Sequence, residues 1–126
     1  MSCGHRIEGL PGPGAKCANI HGHTFGIAWT FAVESEGAEE IEFAAVKKAL
    51  RSWVDEHLDH GFIVYSGDPL RGTLEELNTK VYAVPQWPTT EVIARLLGLK
   101  TPPPYFQHLK SVTVTEGPHN EAKWVR

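Results

Sequence analysis

The chain has little cysteine, no long apolar run and no surplus of positive charge. Two of its 126 residues are cysteine, Cys3 and Cys17, too few for a disulfide framework to carry the fold. The two could pair, but Cys17 stands close to histidines, where a free thiol is more useful than a bridge. The compartment therefore reads as reducing and cytoplasmic. No apolar stretch approaches the roughly 20 residues of a membrane-spanning helix, and the N-terminal residues lack the apolar segment of a signal peptide. The formal charge is −3 and there is no basic run, which argues against nucleic acid as a partner. Internal repeats and low-complexity tracts are also missing. What remains, with 41% hydrophobic and 21% charged residues, is ordinary for one globular domain spanning residues 1–126.

Histidine is the residue with content. There are seven, and His5, His21 and His23 fall near the start of the chain. From His21 the sequence alternates: His21, His23, Phe25, Ile27, Trp29, Phe31 and Val33 interleave with Gly22, Thr24, Gly26, Ala28, Thr30, Ala32 and Glu34. Period two over this length predicts a long strand with one buried face. His21 and His23 occupy the first two positions of that apolar face, whereas solvated surface histidines belong on the other side. Neighbouring imidazoles on one face suit a tetrahedral metal such as zinc, and Cys17 lies near enough in sequence to be a further ligand or a catalytic thiol. A surface pair of histidines with an unrelated buried cysteine is the plainer alternative.

Met1 to Ile7 reads as a short strand with His5 near its end, which would bring His5 beside His21 as a third ligand. His108 and His119 are the other candidates. Glu8 to Lys16, rich in glycine and proline, reads as a loop, and Glu34 to Glu40 as a polar turn containing Gly37. Phe43, Val46, Leu50, Trp53, Val54, His57 and Leu58 recur at helical spacing and predict an amphipathic helix stopped at Gly61. His57, on the apolar stripe, is expected to pack in the core. Phe62 to Leu77 reads as loop and Thr79 to Val84 as a short strand. Pro88-Thr89-Thr90-Glu91 opens a second helix with a threonine N-cap, running to Leu97 and stopped by Gly98. The prolines 102–104 form a connector. Leu109 to Thr115 and Asn120 to Val125 read as a closing strand pair turning at Gly117-Pro118. The expected class is α+β, a four-stranded antiparallel sheet with two helices packed on one face. Its open edges invite pairing with a second copy.

Three further groups could carry chemistry. Asp59-His60 pairs a carboxylate with an imidazole, as acid–base work requires, although a histidine is also at home at a helix C-terminus. Glu116 shares a strand face with Val112 and Val114, so alternation turns it inward, where a carboxylate needs a partner or a ligand such as an aminopyrimidine edge. Release to solvent by Gly117 is the alternative. Thr89-Thr90-Glu91 is explained by helix capping alone.

Taken together, Cys17-x-x-x-His21-Gly-His23, Leu58-Asp59-His60, Pro88-Thr89-Thr90-Glu91 and Glu116 resemble, in order and spacing, the 6-pyruvoyltetrahydropterin synthase / 6-carboxytetrahydropterin synthase family over nearly the whole chain. The three-residue spacer after Cys17 is similar to the bacterial 6-carboxytetrahydropterin synthases of queuosine and 7-deazapurine biosynthesis. The resemblance implies the tunnelling (T) fold, in which trimers close a barrel and stack in pairs as a homohexamer. It implies zinc on His5, His21 and His23, with Cys17 as proton-abstracting base and Asp59 and His60 as its catalytic partners. Glu116 would anchor a pterin ring, with Thr89, Thr90 and Glu91 lining the pocket from a neighbouring subunit. The implied reaction is a lyase step on 7,8-dihydroneopterin triphosphate, giving 6-carboxy-5,6,7,8-tetrahydropterin, acetaldehyde and triphosphate. Competing readings are a pyruvoyl synthase that only eliminates triphosphate, a non-catalytic zinc- or pterin-binding module, and a cysteine hydrolase using Cys17 and His60. The chain departs from the family pattern in having fewer residues before His5, in Glu42-Phe43 where Asp-Phe is usual, and in Trp87 where a small polar residue usually stands.

Overall fold

The computed structural model describes every residue except 35 and 37–39, so the turn expected over Glu34 to Glu40 lies largely outside the described residues. β1 (Ser2–His5) and β2 (His21–Phe31) pair antiparallel, with Cys3 opposite His23 and His5 opposite His21. Along β2, Gly22, Thr24, Gly26, Ala28 and Thr30 are exposed while the alternate residues are covered, as period two requires. A 3₁₀ segment, Gly12–Ala18, occupies the later part of the loop expected over Glu8 to Lys16 and runs two residues past it; the Ile7 N–H, two residues beyond β1, donates to the Cys17 carbonyl at 2.8 Å. β5 (Leu109–Glu116) pairs antiparallel with β2, and β6 (Asn120–Val125) with β5. These are the closing strands expected, and Gly117 takes the left-handed φ of 67° between them, a conformation glycine adopts without steric cost.

The sheet corrects the four-stranded antiparallel expectation. It has six strands in the order β4-β3-β1-β2-β5-β6, and it is mixed. β3 (Gly61–Tyr65) runs parallel to β1, and β4 (Val81–Val84) runs parallel to β3. Phe62, Ile63 and Val64 are all buried. They show no alternation because a parallel strand is covered on both faces. Ile63 joins the main core, whereas Phe62 and Val64 lie outside that cluster. An unexpected helix, α2 (Leu70–Glu76), packs against β3 and β4.

α1 (Phe43–His57) is the expected amphipathic helix, with Val46, Leu50 and Val54 buried. Its N-cap is Glu42, whose carboxylate oxygens accept from the Ala44 and Ala45 N–H groups at 2.9 and 2.8 Å. Those bonds hold the Glu42 carboxyl below its ordinary value, and glutamate caps here as aspartate would. Phe43, assigned to the apolar stripe, is 74% exposed, because the first helical residue projects past the packed part of the stripe. His57 is half-buried and stacks on Trp53 with ring centroids 4.6 Å apart. The helix stop is displaced as well: His60, not Gly61, takes the left-handed φ of 57°, and Gly61 opens β3.

α3 (Thr90–Leu99) has Thr89 as N-cap, its Oγ1 accepting the Val92 N–H at 3.3 Å. Gly98 does not end this helix. It lies inside it, where a Cβ would overlap the Trp124 ring of β6, so glycine here permits close packing of helix on strand. A short helix, α4 (Pro103–Phe106), occupies the proline connector. The core gathers Phe25, Leu58, Ile63, Ile93, Leu97, Val112 and Val114 between the sheet and helices α1 and α3.

Candidate metal centre

The β1–β2 register sets His5 directly across from His21, and His23 follows two residues along the same face of β2. The three rings gather accordingly. His5 and His21 have centroids 4.6 Å apart, His5 and His23 5.2 Å, and His21 and His23 5.0 Å. One nitrogen from each lies within 4.8 Å of the others.

Second partners fix how two of these rings present themselves. His5 Nδ1 is 2.8 Å from the Pro88 carbonyl, and His21 Nδ1 is 2.7 Å from the Asn19 carbonyl. A carbonyl only accepts, so Nδ1 carries the proton in both rings and Nε2 keeps its lone pair. His5 is 1% exposed, and burial holds its pKa below the ordinary histidine value, which favours the neutral ring a metal requires. Its Nε2 is buried without a hydrogen-bond partner. A buried, unsatisfied lone pair in a cage of imidazoles is costly unless something electropositive occupies the cage. The residues present therefore fit a metal with open coordination positions, as in a catalytic three-histidine site. Both carbonyl partners lie inside motifs already named, Asn19 in the spacer between Cys17 and His21 and Pro88 at the head of Pro88-Thr89-Thr90-Glu91, but nothing in the sequence marks either as a backbone acceptor.

Glu116, 18% exposed, turns inward as alternation predicted. Its Oε1 lies 2.8 Å from His23 Nε2 and 3.4 Å from His5 Nε2. It does not join the set of mutually close ligand atoms, which among the described residues is His5, His21 and His23. Thr89 and Thr90 are half-buried and Glu91 is exposed. They are delivered to the neighbourhood of His5 by Pro88, and the Thr89 hydroxyl is committed to capping α3.

Asp59 and His60 form a pair, with His60 Nδ1 2.6 Å from Asp59 Oδ2 and His60 82% exposed. The pair is pinned to the start of β1. The Ser2 N–H donates to Asp59 Oδ1 at 2.8 Å, and the His60 N–H donates to the Ser2 carbonyl at 2.7 Å. The Ser2 bond is the first cause holding the Asp59 carboxyl below its usual value, followed by that from His60. Lys80, which no motif singles out, adds a restraint, donating from Nζ to the carbonyls of Asp55 and Asp59 at 2.8 and 2.7 Å. Cys17 is held past the other end of β1, at Ile7. At ~3.3 Å per residue the strand alone separates the two ends by roughly 10 Å. Among the described residues no hydrogen bond or ion pair links Asp59–His60 to Cys17. Both cysteines are free. They differ in surroundings: burial pushes the Cys3 thiol up to about 11, whereas Cys17 is half-buried. Outside the cluster, His108 faces Glu40 at 3.7 Å and His119 is exposed.

Comparison with known proteins places the chain in a family. The family profile described as 6-pyruvoyl tetrahydropterin synthase matches residues 1–126. The 6-carboxy-5,6,7,8-tetrahydropterin synthase of Rickettsia bellii is 35% identical over 114 residues, covering 87% of this chain and 80% of that protein. A probable 6-carboxy-5,6,7,8-tetrahydropterin synthase of Halobacterium salinarum is 34% identical over 117 residues, covering 91% and 73%. Among solved structures, an uncharacterised protein of Wolinella succinogenes superimposes with a TM-score of 0.76 at 22% identity, covering 98% of this chain and 92% of that one. The 6-pyruvoyl tetrahydropterin synthase of Plasmodium falciparum gives 0.64 at 18% identity, covering 99% and 90%. The structural likenesses establish the shared α+β fold, and the sequence match establishes descent: this chain belongs to the 6-pyruvoyl tetrahydropterin synthase family.

Proposed function

We propose that the chain is a zinc-dependent 6-carboxy-5,6,7,8-tetrahydropterin synthase. It would convert 7,8-dihydroneopterin triphosphate to 6-carboxy-5,6,7,8-tetrahydropterin, releasing acetaldehyde and triphosphate, a step in queuosine and 7-deazapurine biosynthesis. The observation that carries this reading is the His5–His21–His23 cluster, with two Nδ1 protons committed to carbonyls and a buried, unpartnered Nε2 on His5. The names of the relatives at 34–35% identity favour the carboxy product.

A bound zinc would act as a Lewis acid on substrate oxygens and lower the cost of negative charge developing beside it. The remaining work falls to the chain's own groups. Cys17 is the base that takes a proton from the substrate side chain, and His60 exchanges protons as acid and base. Asp59 orients the His60 ring through its 2.6 Å contact to Nδ1 and stabilises the ring when protonated. His23 Nε2 lies 2.8 Å from Glu116 Oε1, and a nitrogen that ligates a metal carries no proton to share with that carboxylate. The Glu116 carboxylate would accept two N–H donors from the pterin ring, with Thr89, Thr90 and Glu91 lining the pocket.

Because β1 holds Asp59–His60 and Cys17 near opposite ends, the reading also requires a homo-oligomer, a hexamer of two trimers, in which one copy's pair serves another copy's thiol. The free edges of β4 and β6 offer backbone for such pairing. Incubation with 7,8-dihydroneopterin triphosphate, followed by mass spectrometry, tests the reaction. Acetaldehyde and the 6-carboxy product are expected. A 6-pyruvoyl product without acetaldehyde would assign the alternative chemistry of the family.

A further inference from the structure

Trp87, which departs from the family pattern, lies in a cluster that the reaction does not use. Arg6 directly follows His5, and its guanidinium grips Asp68 with Nε on Oδ2 at 2.8 Å and Nη2 on Oδ1 at 2.5 Å, while Nη1 meets Glu8 at 3.0 Å. The Asp68 side chain is fully buried, and its Oδ1 also accepts the Leu70 N–H at 2.9 Å. The Arg6 guanidinium lies over the Trp87 ring, 5.7 Å from its centroid, and Tyr65 packs on the same ring at 5.0 Å. These contacts join the end of β1, the β3–α2 turn and the segment before α3. The neighbour of Arg6 is His5, the neighbour of Trp87 is Pro88, and His5 Nδ1 donates to the Pro88 carbonyl. Two adjacent ties therefore run in parallel between the same two backbone segments.

We propose that Asp68, acting through Arg6 and Trp87, is a positioning residue for the metal centre. It fixes the segment carrying the Pro88 carbonyl, and that carbonyl fixes the tautomer and orientation of His5. The bidentate fork allows one orientation of the guanidinium. That orientation presents the guanidinium to the Trp87 ring, where a partly desolvated cation is attracted. The Pro88 carbonyl is thereby held against a ring whose Nε2 must point into the cage. Arg6 is consequently committed and does not receive the substrate's phosphates. The metal arm of the test rests on the zinc reading given above, and the ring arm does not.

The test compares wild type with Asp68→Asn, Trp87→Leu and Glu8→Gln, using chains first shown to be folded by circular dichroism. In apo protein, the His5 Nδ1–H resonance is followed by ¹⁵N-edited NMR. In loaded protein, zinc affinity is measured by chelator competition and the cobalt(II) absorption spectrum is recorded. Asp68→Asn and Trp87→Leu are expected to lose the slowly exchanging His5 Nδ1–H signal, to weaken zinc about 10- to 100-fold and to alter the cobalt bands. Glu8→Gln, which leaves the fork and the stacked ring in place, should keep all three. Folded Asp68→Asn or Trp87→Leu with a wild-type ring signal and wild-type zinc affinity would overturn the proposal. If Asp68→Asn does not fold, Trp87→Leu decides, since it changes no charge. A wild-type chain that binds neither metal would sink the zinc reading, while the ring signal still judges the clamp.

Discussion

At the scale of single residues, the centre is defined by which nitrogen is free. His5 and His21 each spend Nδ1 on a carbonyl and direct Nε2 inward, and burial holds the His5 pKa below its ordinary value. Cys17 is outside that set, so its proposed role is proton transfer rather than ligation. Cys17→Ala should then reduce turnover by about 10²- to 10⁴-fold, the usual worth of a positioned acid–base group, with zinc held at the wild-type level. Metal analysis of the purified variant decides, because loss of zinc would make the thiol a ligand. Glu116→Gln keeps the shape and removes the charge that accepts from a pterin. KM is expected to rise roughly 10- to 100-fold, the equivalent of one charge-assisted bond, with little change in zinc affinity. An unchanged KM would take Glu116 out of the substrate site. His21, His23 and Glu116 are legible in the sequence because period-two alternation states which face each side chain shares, whereas His5 is reached only through the expected pairing of the first strand with the one beginning at His21. The carbonyls of Asn19 and Pro88 are not legible, because a backbone acceptor has no residue type of its own.

Elements decide where those residues can meet. The β1–β2 pairing, the long helix, the helix capped by Thr89 and the closing hairpin all announce themselves through periodicity and caps. β3 does not, since Phe62-Ile63-Val64 is buried throughout and lies in a stretch whose Gly67, Pro69 and Gly72 signal turns. With β3 goes the parallel pairing that sets β1 inside the sheet, which no local pattern encodes. The β3–α2 turn carries Asp68, whose carboxyl is held below its ordinary value first by the hydrogen bonds from Arg6. A depressed carboxyl pKa binds protons less readily in the folded state than in the unfolded one. Its stabilisation is therefore complete above the unfolded value near 3.8 and fades as pH falls below it. Asp68→Asn is expected to cost about 3 kcal/mol at neutral pH, the lower end for breaking a buried pair while Glu8 still faces Arg6, and to flatten the stability curve below pH 4. Urea titrations of both chains across pH 2.5 to 7 measure this. Parallel curves would show that the pair does not govern acid stability.

For the whole molecule, the consequence of the topology is a division of labour along β1. One end holds Asp59–His60 against Ser2, and the other carries His5 toward its two partner histidines, with Cys17 tied just beyond. The sequence places these groups in a recognisable order but says nothing of the distance between them, because distance depends on which strands become neighbours. A single chain thus gathers the three histidines at one end of β1 and holds Asp59–His60 at the other, and the proposed function assigns that pair to another copy. The claim on which all of this depends is that the three-histidine cage holds a zinc the reaction needs. Turnover of 7,8-dihydroneopterin triphosphate should be followed while zinc is stripped by a chelator and then returned by titration. The account predicts that activity falls with the metal and recovers linearly, saturating at one zinc per chain. Full turnover in the stripped protein, or recovery that ignores His21→Ala, would contradict it.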